Sequence, residues 1–595
     1  MTVNPAGEVP DVGIPRHLAA DMTLGEQHDW LRGFLGRHPV SRRSALKGGA
    51  SVLAALGATT APWALTACAQ AQTTPLAVIG RHLSFGTDPT TQMAIAGELT
   101  GKPTGKIAVE IGRDTGYGQS LEAEVRELIS QVPQQDGTIR AADQFFLHAQ
   151  ATGLASGTEY HYRFRLADGT TTPDAVFTTA PVRAGLAPFT FTAFADQGVN
   201  VDPTPTGQTG FSDNYYKPDD TRRSAAPSDT LVGLIAAQKP AFHLLAGDIC
   251  YADPTGSGQP IKNKTGDADS GFNNFDPTVW MQYFGVIEKS AATAPWPFAT
   301  GNHDMEALYD DNTAPGGATH GYGGHAARLD LPKNGPSRCP SVYSVVYGNV
   351  AVLSLDANDL SQEIPTNAGY SGGEQISWLI QRLTALRADP SIDFIVAFFH
   401  HCVYATSTSH ASDGGVRAAL APLFDQFAVD LVVQGHNHQY ERTNPIKGGR
   451  STTQAPDGAT VEPAKYGTIY ICCGSGGRPR YAWQKGETDR YRGNTAPDSG
   501  TVVTSYVAGP DKSKTPETVD WSQTRYLDYA FLTVHVTPAA PGGRATMSVR
   551  AVSDLGTEID RVDLVRQVPA GAPAPAPAAW RTHRSGLSVP GALTI

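Results

Sequence analysis

Leu431-Val432-Val433-Gln434-Gly435-His436-Asn437-His438 is a short apolar run that ends abruptly at a glycine and two histidines. The same plan occurs earlier in the chain: Phe189–Ala195 before Asp196, Phe242–Ala246 before Gly247-Asp248, and Ile392–Phe399 before His400. Short apolar runs bounded by turn residues predict buried strands. Ligand groups gather at the carboxyl ends of the strands in α/β sheets. The repeated pattern therefore predicts an α/β fold with a ligand site at one edge of its sheets.

The segments between these strands have helical periodicity. Glu374–Arg387 places Ile376, Leu379, Leu383 and Leu386 on one face, and Val416–Phe427 has the same period. Such stripes are typical of helices that pack one side against a core. We therefore expect mixed β-sheets flanked by helices, in a domain over residues 187–566.

The region before this domain has the alternation of an all-β fold. Apolar side chains alternate in Lys106–Ile111 and Phe145–Ala149, and aromatic residues fall at every second position of Tyr160–Arg165. Successive side chains of a strand point to opposite faces, so these aromatics share one face. We predict a small β-sandwich over residues 76–182. The stretch Ala151–Tyr160 resembles fibronectin type III modules.

The two ends of the chain are predicted to lie outside these domains. Residues 1–75 contain the arginine pair of Ser41–Lys47, followed by the Ala/Gly/Leu-rich stretch Gly48–Leu65. This leader resembles a twin-arginine signal, which implies export to a secreted or periplasmic location. Three alternatives stay open for this leader. They are a lipoprotein box that ends at Cys68, simple cleavage near Ala69-Gln70-Ala71, and a leader whose arginine pair is incidental. Residues 567–595 are Ala/Pro-rich and predicted to be a disordered tail.

Composition excludes several classes of partner. The net charge is −11, which argues against a chain-wide nucleic-acid surface or a polybasic membrane anchor. Membrane contact is expected only through a lipidated Cys68. The 6 cysteines are too few for a disulfide scaffold. An anionic small molecule remains compatible with this charge because metal ions can make a site locally positive. The sequence does not indicate the oligomeric state.

Five short motifs supply metal-compatible donors directly after predicted strands. They are Ala195-Asp196-Gln197-Gly198, Gly247-Asp248-Ile249-Cys250-Tyr251, Gly301-Asn302-His303-Asp304, His400-His401-Cys402-Val403-Tyr404 and Gly435-His436-Asn437-His438-Gln439-Tyr440-Glu441-Arg442. Carboxylate and phenolate oxygens suit a hard trivalent ion, and imidazoles suit a borderline divalent ion. Asp248 has two carboxylate oxygens and can bridge two ions. His436 and His438 are expected in an extended segment, where their side chains diverge toward different ions.

The order and spelling of these motifs resemble the purple acid phosphatases, within the calcineurin-like metallophosphoesterases. The resemblance covers about residues 75–540 and implies a binuclear centre. Fe(III) would be held by Asp196, Tyr251 and His438, and a divalent ion (Zn, Fe or Mn) by Asn302, His400 and His436, with Asp248 shared. Ala195 and His401 depart from the family pattern. We assign the ligand to His400 because Tyr404 then falls at the family's spacing.

The resemblance also implies an acid phosphatase that hydrolyses phosphate monoesters with a metal-activated hydroxide. His303 and His410 match family histidines that handle the substrate, although a plain solvated histidine remains an alternative for His410. A calcineurin-like phosphodiesterase or nucleotidase with two divalent ions is the first rival, and Tyr251 discriminates against it because such relatives commonly lack the tyrosinate ligand. An inactive cell-surface binding protein is the second rival, which loss of a ligand would signal.

Overall fold

The computed structural model describes residues 75–133, 139–183, 185–199, 227–253, 275–306, 320–407, 410–478, 480–481, 503–508 and 514–571. The predicted leader, with Arg42, Arg43 and Cys68, lies outside the described residues, as does the tail from residue 572. Among the described residues, no helix combines the length and apolarity needed to cross a membrane.

The first eight strands form an all-β region, as the alternation predicts. They are β1 Val78–Phe85, β2 Met93–Leu99, β3 Ala108–Gly112, β4 Gln119–Glu122, β5 Glu124–Pro133, β6 Ile139–Ala151, β7 Glu159–Arg165 and β8 Ala175–Thr178. Two antiparallel sheets result, in the orders β1-β2-β6-β5 and β4-β3-β7-β8. Tyr160, Tyr162 and Phe164 are buried while the residues between them are more exposed. The fibronectin type III assignment and the exact domain limits stay predictions.

The remaining strands build two larger sheets and two small ones. They are β9 Phe189–Phe194, β10 His243–Ala246, β11 Phe298–Ala299, β12 Tyr343–Tyr347, β13 Val350–Ser354, β14 Phe394–Phe398, β15 Ser412–Asp413, β16 Leu431–Gln434, β17 Tyr440–Thr443, β18 Ile446–Lys447, β19 Arg450–Ser451, β20 Ala459–Val461, β21 Ile469–Cys473, β22 Val503–Ala508, β23 Lys514–Val519, β24 Ser522–Tyr526, β25 Ala530–Thr537, β26 Arg544–Ser553 and β27 Glu558–Gln567. The seven-stranded sheets have the orders β11-β10-β9-β25-β26-β27-β20 and β12-β13-β14-β16-β21-β17-β24.

Helices flank these sheets, so the predicted α/β class is confirmed. In the described chain they are α1 Pro227–Gln238, α2 Val279–Ala291, α3 Gly323–Arg328, α4 Glu374–Ala388, α5 Gly414–Phe427 and α6 Pro463–Tyr466. Apolar side chains of both seven-stranded sheets, such as Phe191 and Val433, belong to one core. Leu383 of α4 and Leu420 of α5 pack in a second core with Val432. The sheets are therefore layered between helices, as in other two-layer and multilayer α/β folds.

The strand pairing explains how distant motifs meet. β9, β10 and β11 are parallel neighbours in one sheet, and β13, β14, β16 and β21 are parallel neighbours in the other. Parallel strands present their carboxyl ends at the same edge. The segments after β9, β10 and β11 therefore share one edge and those after β14 and β16 share another, and contacts of β9 with β16 and of β10 with β14 bring the two edges together.

Candidate metal centre

A first cluster of oxygen and nitrogen donors forms where β9, β10 and β16 end. The Tyr251 hydroxyl lies 3.0 Å from Oδ1 of Asp196 and 3.1 Å from Nε2 of His438. His438 Nε2 is also 3.2 Å from Oδ1 of Asp196. All three side chains are buried. The first cluster thus consists of a carboxylate, a phenol and an imidazole whose donor atoms converge on one point.

A second cluster lies beside the first, where β11, β14 and β16 end. His400 Nε2 is 3.1 Å from Oδ1 of Asn302, and His436 Nδ1 is 3.2 Å from the same oxygen. The two imidazole nitrogens are 3.3 Å apart. The second cluster therefore offers one amide oxygen and two ring nitrogens, all from neutral ligand types.

Asp248 stands between the two clusters. Its Oδ2 is 3.2 Å from His400 Nε2 in the second cluster. Donor atoms of Asp196, Asp248 and His438 also lie within 4.8 Å of one another, as a shared metal ion would require. A carboxylate in this position can bind one ion with each oxygen.

The backbone around these ligands adopts an uncommon conformation. Asp196, Asp248, Tyr251 and His436 have φ of 59°, 51°, 59° and 67°, which is half of the eight non-glycine residues with positive φ in the described chain. The left-handed region costs a non-glycine residue roughly 1 kcal/mol or more and is concentrated at functional sites. The extended conformation expected around His436 is therefore wrong. His436 and His438 nevertheless point into different clusters.

Two glycines allow the strand ends to approach closely. A Cβ on Gly301 would lie 2.1 Å from Oδ1 of Asp248, and a Cβ on Gly435 would lie 2.4 Å from Oδ2 of Asp196. Any larger residue would displace a carboxylate. The glycine that precedes Asn302 and the one that precedes His436 are thus required by space.

Burial and mutual charge perturb the titration of the ligands. Burial alone would lower the pKa of His400, but Asp248 and Asp196 raise it to about 10. Burial and then the two carboxylates raise the pKa of Tyr251 well above 10. Burial opposes ionisation of Asp248, yet His400 and His303 hold its pKa well below 3.8. Buried carboxylates beside a phenol and imidazoles with convergent lone pairs are the donor set that bound cations need, so the residues present fit a pair of metal ions.

The two predicted catalytic histidines lie at the edge of this centre. His303 Nδ1 is 2.7 Å from the carbonyl oxygen of Asp253, so Nδ1 carries the proton and Nε2 faces Asp248 Oδ2 at 3.9 Å. The ring of His410 packs on that of His436, with centroids 3.8 Å apart. Both histidines lie beside metal-ligand candidates but outside the two clusters, and a donor atom of His410 lies within 4.8 Å of donor atoms of His436 and Glu363.

Three further residues at the centre were missed by the sequence analysis. Arg478 places its guanidinium 4.0 Å from the centroid of the Tyr251 ring, and Tyr481 stacks on His438 with centroids 4.0 Å apart. Glu363 contacts His436 from a loop that follows β13. None of the three occurs in a strand-end donor motif. Only the glycine-rich run Gly474–Gly477 before Arg478 hints in the sequence at close backbone packing.

Comparisons with known proteins point to one family. The sequence signature of the family described as calcineurin-like phosphoesterase matches residues 220–440, a span that includes Asp248, Asn302, His400, His436 and His438. An uncharacterized protein of Mycobacterium tuberculosis is 30% identical over 495 residues, which are 79% of this chain and 83% of that protein. A purple acid phosphatase of Glycine max is 24% identical over 340 residues, 56% of this chain and 60% of that protein.

The fold is also similar to that of a solved structure. Purple acid phosphatase PPD1 from yellow lupin seeds superposes with a TM-score of 0.58 at 17% sequence identity, over 83% of this chain and 75% of that chain. At this identity the likeness concerns the fold, and the roles of individual side chains rest on the geometry above.

Proposed function

We propose, from the premise that this chain belongs to the purple acid phosphatase family of the calcineurin-like metallophosphoesterases, that it is an acid phosphatase with an Fe(III)/divalent metal pair. Family membership makes it a phosphoric ester hydrolase, and the proposal adds the substrate, small phosphate monoesters, and the kind of metal. The observation that carries the proposal is the Tyr251 hydroxyl, 3.0 Å from Asp196 Oδ1 and 3.1 Å from His438 Nε2. A phenolate among hard oxygen donors suits Fe(III).

Each of the two clusters would hold one metal ion. Asp196, Tyr251 and His438 would hold Fe(III), and Asn302, His400 and His436 would hold the divalent ion (zinc, iron or manganese), with Asp248 shared. When bound, the two ions supply Lewis-acid polarisation of phosphoryl oxygens and lower the pKa of water. His400 must release its proton to serve as a ligand, because Asp248 and Asp196 keep it protonated in the metal-free protein.

His303 is positioned to handle the substrate. Its Nδ1–H donates to the Asp253 carbonyl oxygen at 2.7 Å, which fixes the ring and leaves Nε2 facing the centre. When Nε2 is also protonated, the imidazolium held in this way can donate to a phosphoryl oxygen or give the Nε2 proton to the departing alkoxide. His410, which packs on His436 at 3.8 Å, is the second candidate for this role.

A visible spectrum with metal analysis on natively loaded protein tests the proposal. We expect iron plus a second metal and a broad tyrosinate-to-Fe(III) band that disappears in Tyr251→Phe. Tyr283→Phe is the matched control, because Tyr283 is equally buried on α2 and lies outside both clusters. Phosphate monoesters should be hydrolysed in preference to diesters. A colourless protein with two divalent ions and full activity in Tyr251→Phe would leave a metallophosphodiesterase instead.

The proposal extends to export by the twin-arginine pathway. Ser41–Lys47 carries the arginine pair, and such signals export proteins that have already folded, so the metal centre could be loaded beforehand. Replacement of Arg42 and Arg43 by lysine should retain the protein in the cytoplasm, as measured by cell fractionation. Unchanged export of this variant would contradict the signal. Cys68→Ala then separates lipoprotein anchoring, which it would abolish, from simple cleavage, which it would spare.

A further inference from the structure

Glu363 reaches the metal centre from a loop that carries none of the strand-end motifs. The loop follows the 3-10 turn Ala357–Asp359 and is fastened to a helix. The Glu363 backbone N–H donates to the Ser361 hydroxyl at 3.1 Å, and that hydroxyl donates to Oδ2 of Asp413 at 2.6 Å. Asp413 in turn caps α5 by accepting from the Val416 N–H at 2.9 Å. Glu363 is therefore supported by a rigid element.

The Glu363 carboxylate contacts two imidazoles. Its Oε2 lies 3.0 Å from Nε2 of His436 and 2.9 Å from Nε2 of His401. The opposite nitrogen of His436, Nδ1, faces Asn302 Oδ1 at 3.2 Å. A neutral imidazole that offers a lone pair at Nδ1 must carry its proton on Nε2, and a carboxylate at Nε2 selects that tautomer.

The ring of His436 is also held from its sides. The His401 ring centroid lies 4.4 Å from that of His436, and the His410 centroid lies 3.8 Å away. Since His401 shares the same carboxylate oxygen, one group orients both the ligand histidine and a ring that packs on it. This arrangement gives a reason for the unusual histidine that directly follows His400.

We propose that Glu363 is a positioning residue for the ion of the second cluster, and this inference rests on the proposed metal pair. The three side chains assigned to that ion are neutral, and Asp248 is shared with the first cluster. An anionic acceptor one hydrogen bond behind His436 makes this ligand more basic and adds negative charge close to a divalent cation. Glu363 therefore strengthens the second site selectively. The Tyr251 hydroxyl of the first cluster instead contacts Asp196 and His438.

The test compares Glu363→Gln and Glu363→Ala with the wild type and with Glu288→Gln. Glu288 is a matched control, because its side chain is 28% exposed against 29% for Glu363 and it pairs with Arg81 outside the centre. Each protein is purified with its native metals, and zinc affinity at the second site is measured by competition with a chelator. We expect zinc to bind about 10- to 100-fold more weakly in both Glu363 variants. Iron content and the visible band should be unchanged.

The possible results distinguish failure of this proposal from failure of the proposed function. Unchanged zinc affinity in both folded variants would overturn the proposal, as would equal loss of iron and zinc. A third metal equivalent in the wild type that disappears in Glu363→Gln would make Glu363 a direct ligand with His410 and His436 and would also overturn it. Glu363→Gln preserves the side-chain shape, so this variant still tests the proposal if Glu363→Ala fails to fold. A wild type without a second ion, or without the tyrosinate band, would instead refute the proposed function.

Discussion

The Asp248 carboxylate has room because residue 301, at the neighbouring strand end, is a glycine and carries a hydrogen atom in place of a Cβ. A Cβ on Gly301 would lie 2.1 Å from Oδ1 and 2.4 Å from the backbone nitrogen of Asp248. The backbone nitrogen cannot move without breaking the turn that gives Asp248 its φ of 51°. The carboxylate must therefore rotate away, and it is the group that stands between the two clusters.

Gly301→Ala is accordingly expected to reduce the content of both metals, because each ion loses the shared ligand. Overpacking of this kind typically costs about 1 to 3 kcal/mol of stability. Metal analysis of the purified variant measures the effect. Gly233→Ala is the control, since nothing lies within 4 Å of a Cβ at Gly233 on α1. Retention of both ions at the wild-type level in Gly301→Ala would contradict the expectation.

Single residues were predictable from the sequence where a local rule applies. Asp196, Asp248 and His400 follow apolar runs, so their delivery to a common edge could be expected from strand geometry alone. The left-handed backbone at His436 could not be predicted from the sequence, because left-handed φ in a non-glycine residue is imposed by tertiary contacts. Glu363 gave no signal and Arg478 only the glycine-rich run before it, since a loop carboxylate or a lone arginine is usually solvated.

At the scale of elements, periodicity predicts the interior of a helix or strand better than its ends. The expected helix Glu374–Arg387 becomes α4, Glu374–Ala388. The expected helix from Val416 begins two residues earlier at Gly414, because the side chain of Asp413 caps the first turn. A cap is a local hydrogen bond that the apolar stripe does not encode.

Strand pairing across long separations was not predictable. β25 pairs with β9, so that Val534 lies opposite Phe191. The antiparallel meander β25-β26-β27 thereby extends the sheet whose strand ends carry Asp196 and Asp248. The sequences of β9 and β25 are both largely apolar, and the alternation of side chains does not indicate which strand pairs with which. The sequence also does not indicate that Glu98, inside β2, is a buried carboxyl group: burial raises its pKa to about 7 although its Oε1 accepts from Gln144.

At the scale of the whole molecule, the N-terminal sheets and the metal-bearing sheets form one packed body. His82 of β1 stacks on Phe284 of α2 with centroids 4.4 Å apart, and the Tyr162 hydroxyl donates to the carbonyl oxygen of Ala292 at 2.8 Å. A second contact brings β5 and β6 against the end of α3. The N-terminal region therefore packs against both α2 and α3.

Asp330 is the polar hub of that second contact. Its carboxylate accepts from Arg126 at 3.0 Å and from Gln150 at 3.1 Å, and His148 Nδ1 lies 3.0 Å away. Burial would raise the pKa of Asp330, but His148 and Arg126 hold it well below 3.8. Because the folded pKa is lower than the unfolded one, ionised Asp330 contributes stability above about pH 4, and this contribution is lost as pH falls toward the folded value.

Asp330→Asn should therefore lower the thermal midpoint most at neutral pH, since it leaves Arg126 and His148 facing an uncharged group in a buried contact. Loss of one partner of such a partly buried ion pair costs about 1 to 3 kcal/mol. The gap between variant and wild type should narrow below about pH 4, because Asp330 of the unfolded wild type then takes up a proton while the folded state, with its lower pKa, is still ionised. Unfolding followed at one scan rate from pH 7 to pH 3 measures this gap, and acid effects common to both proteins cancel in the difference. Glu122→Gln, which breaks the exposed pair with Lys106, should change stability by less than about 1 kcal/mol. A gap that stays constant with pH would show that the charge of Asp330 does not hold the two regions together.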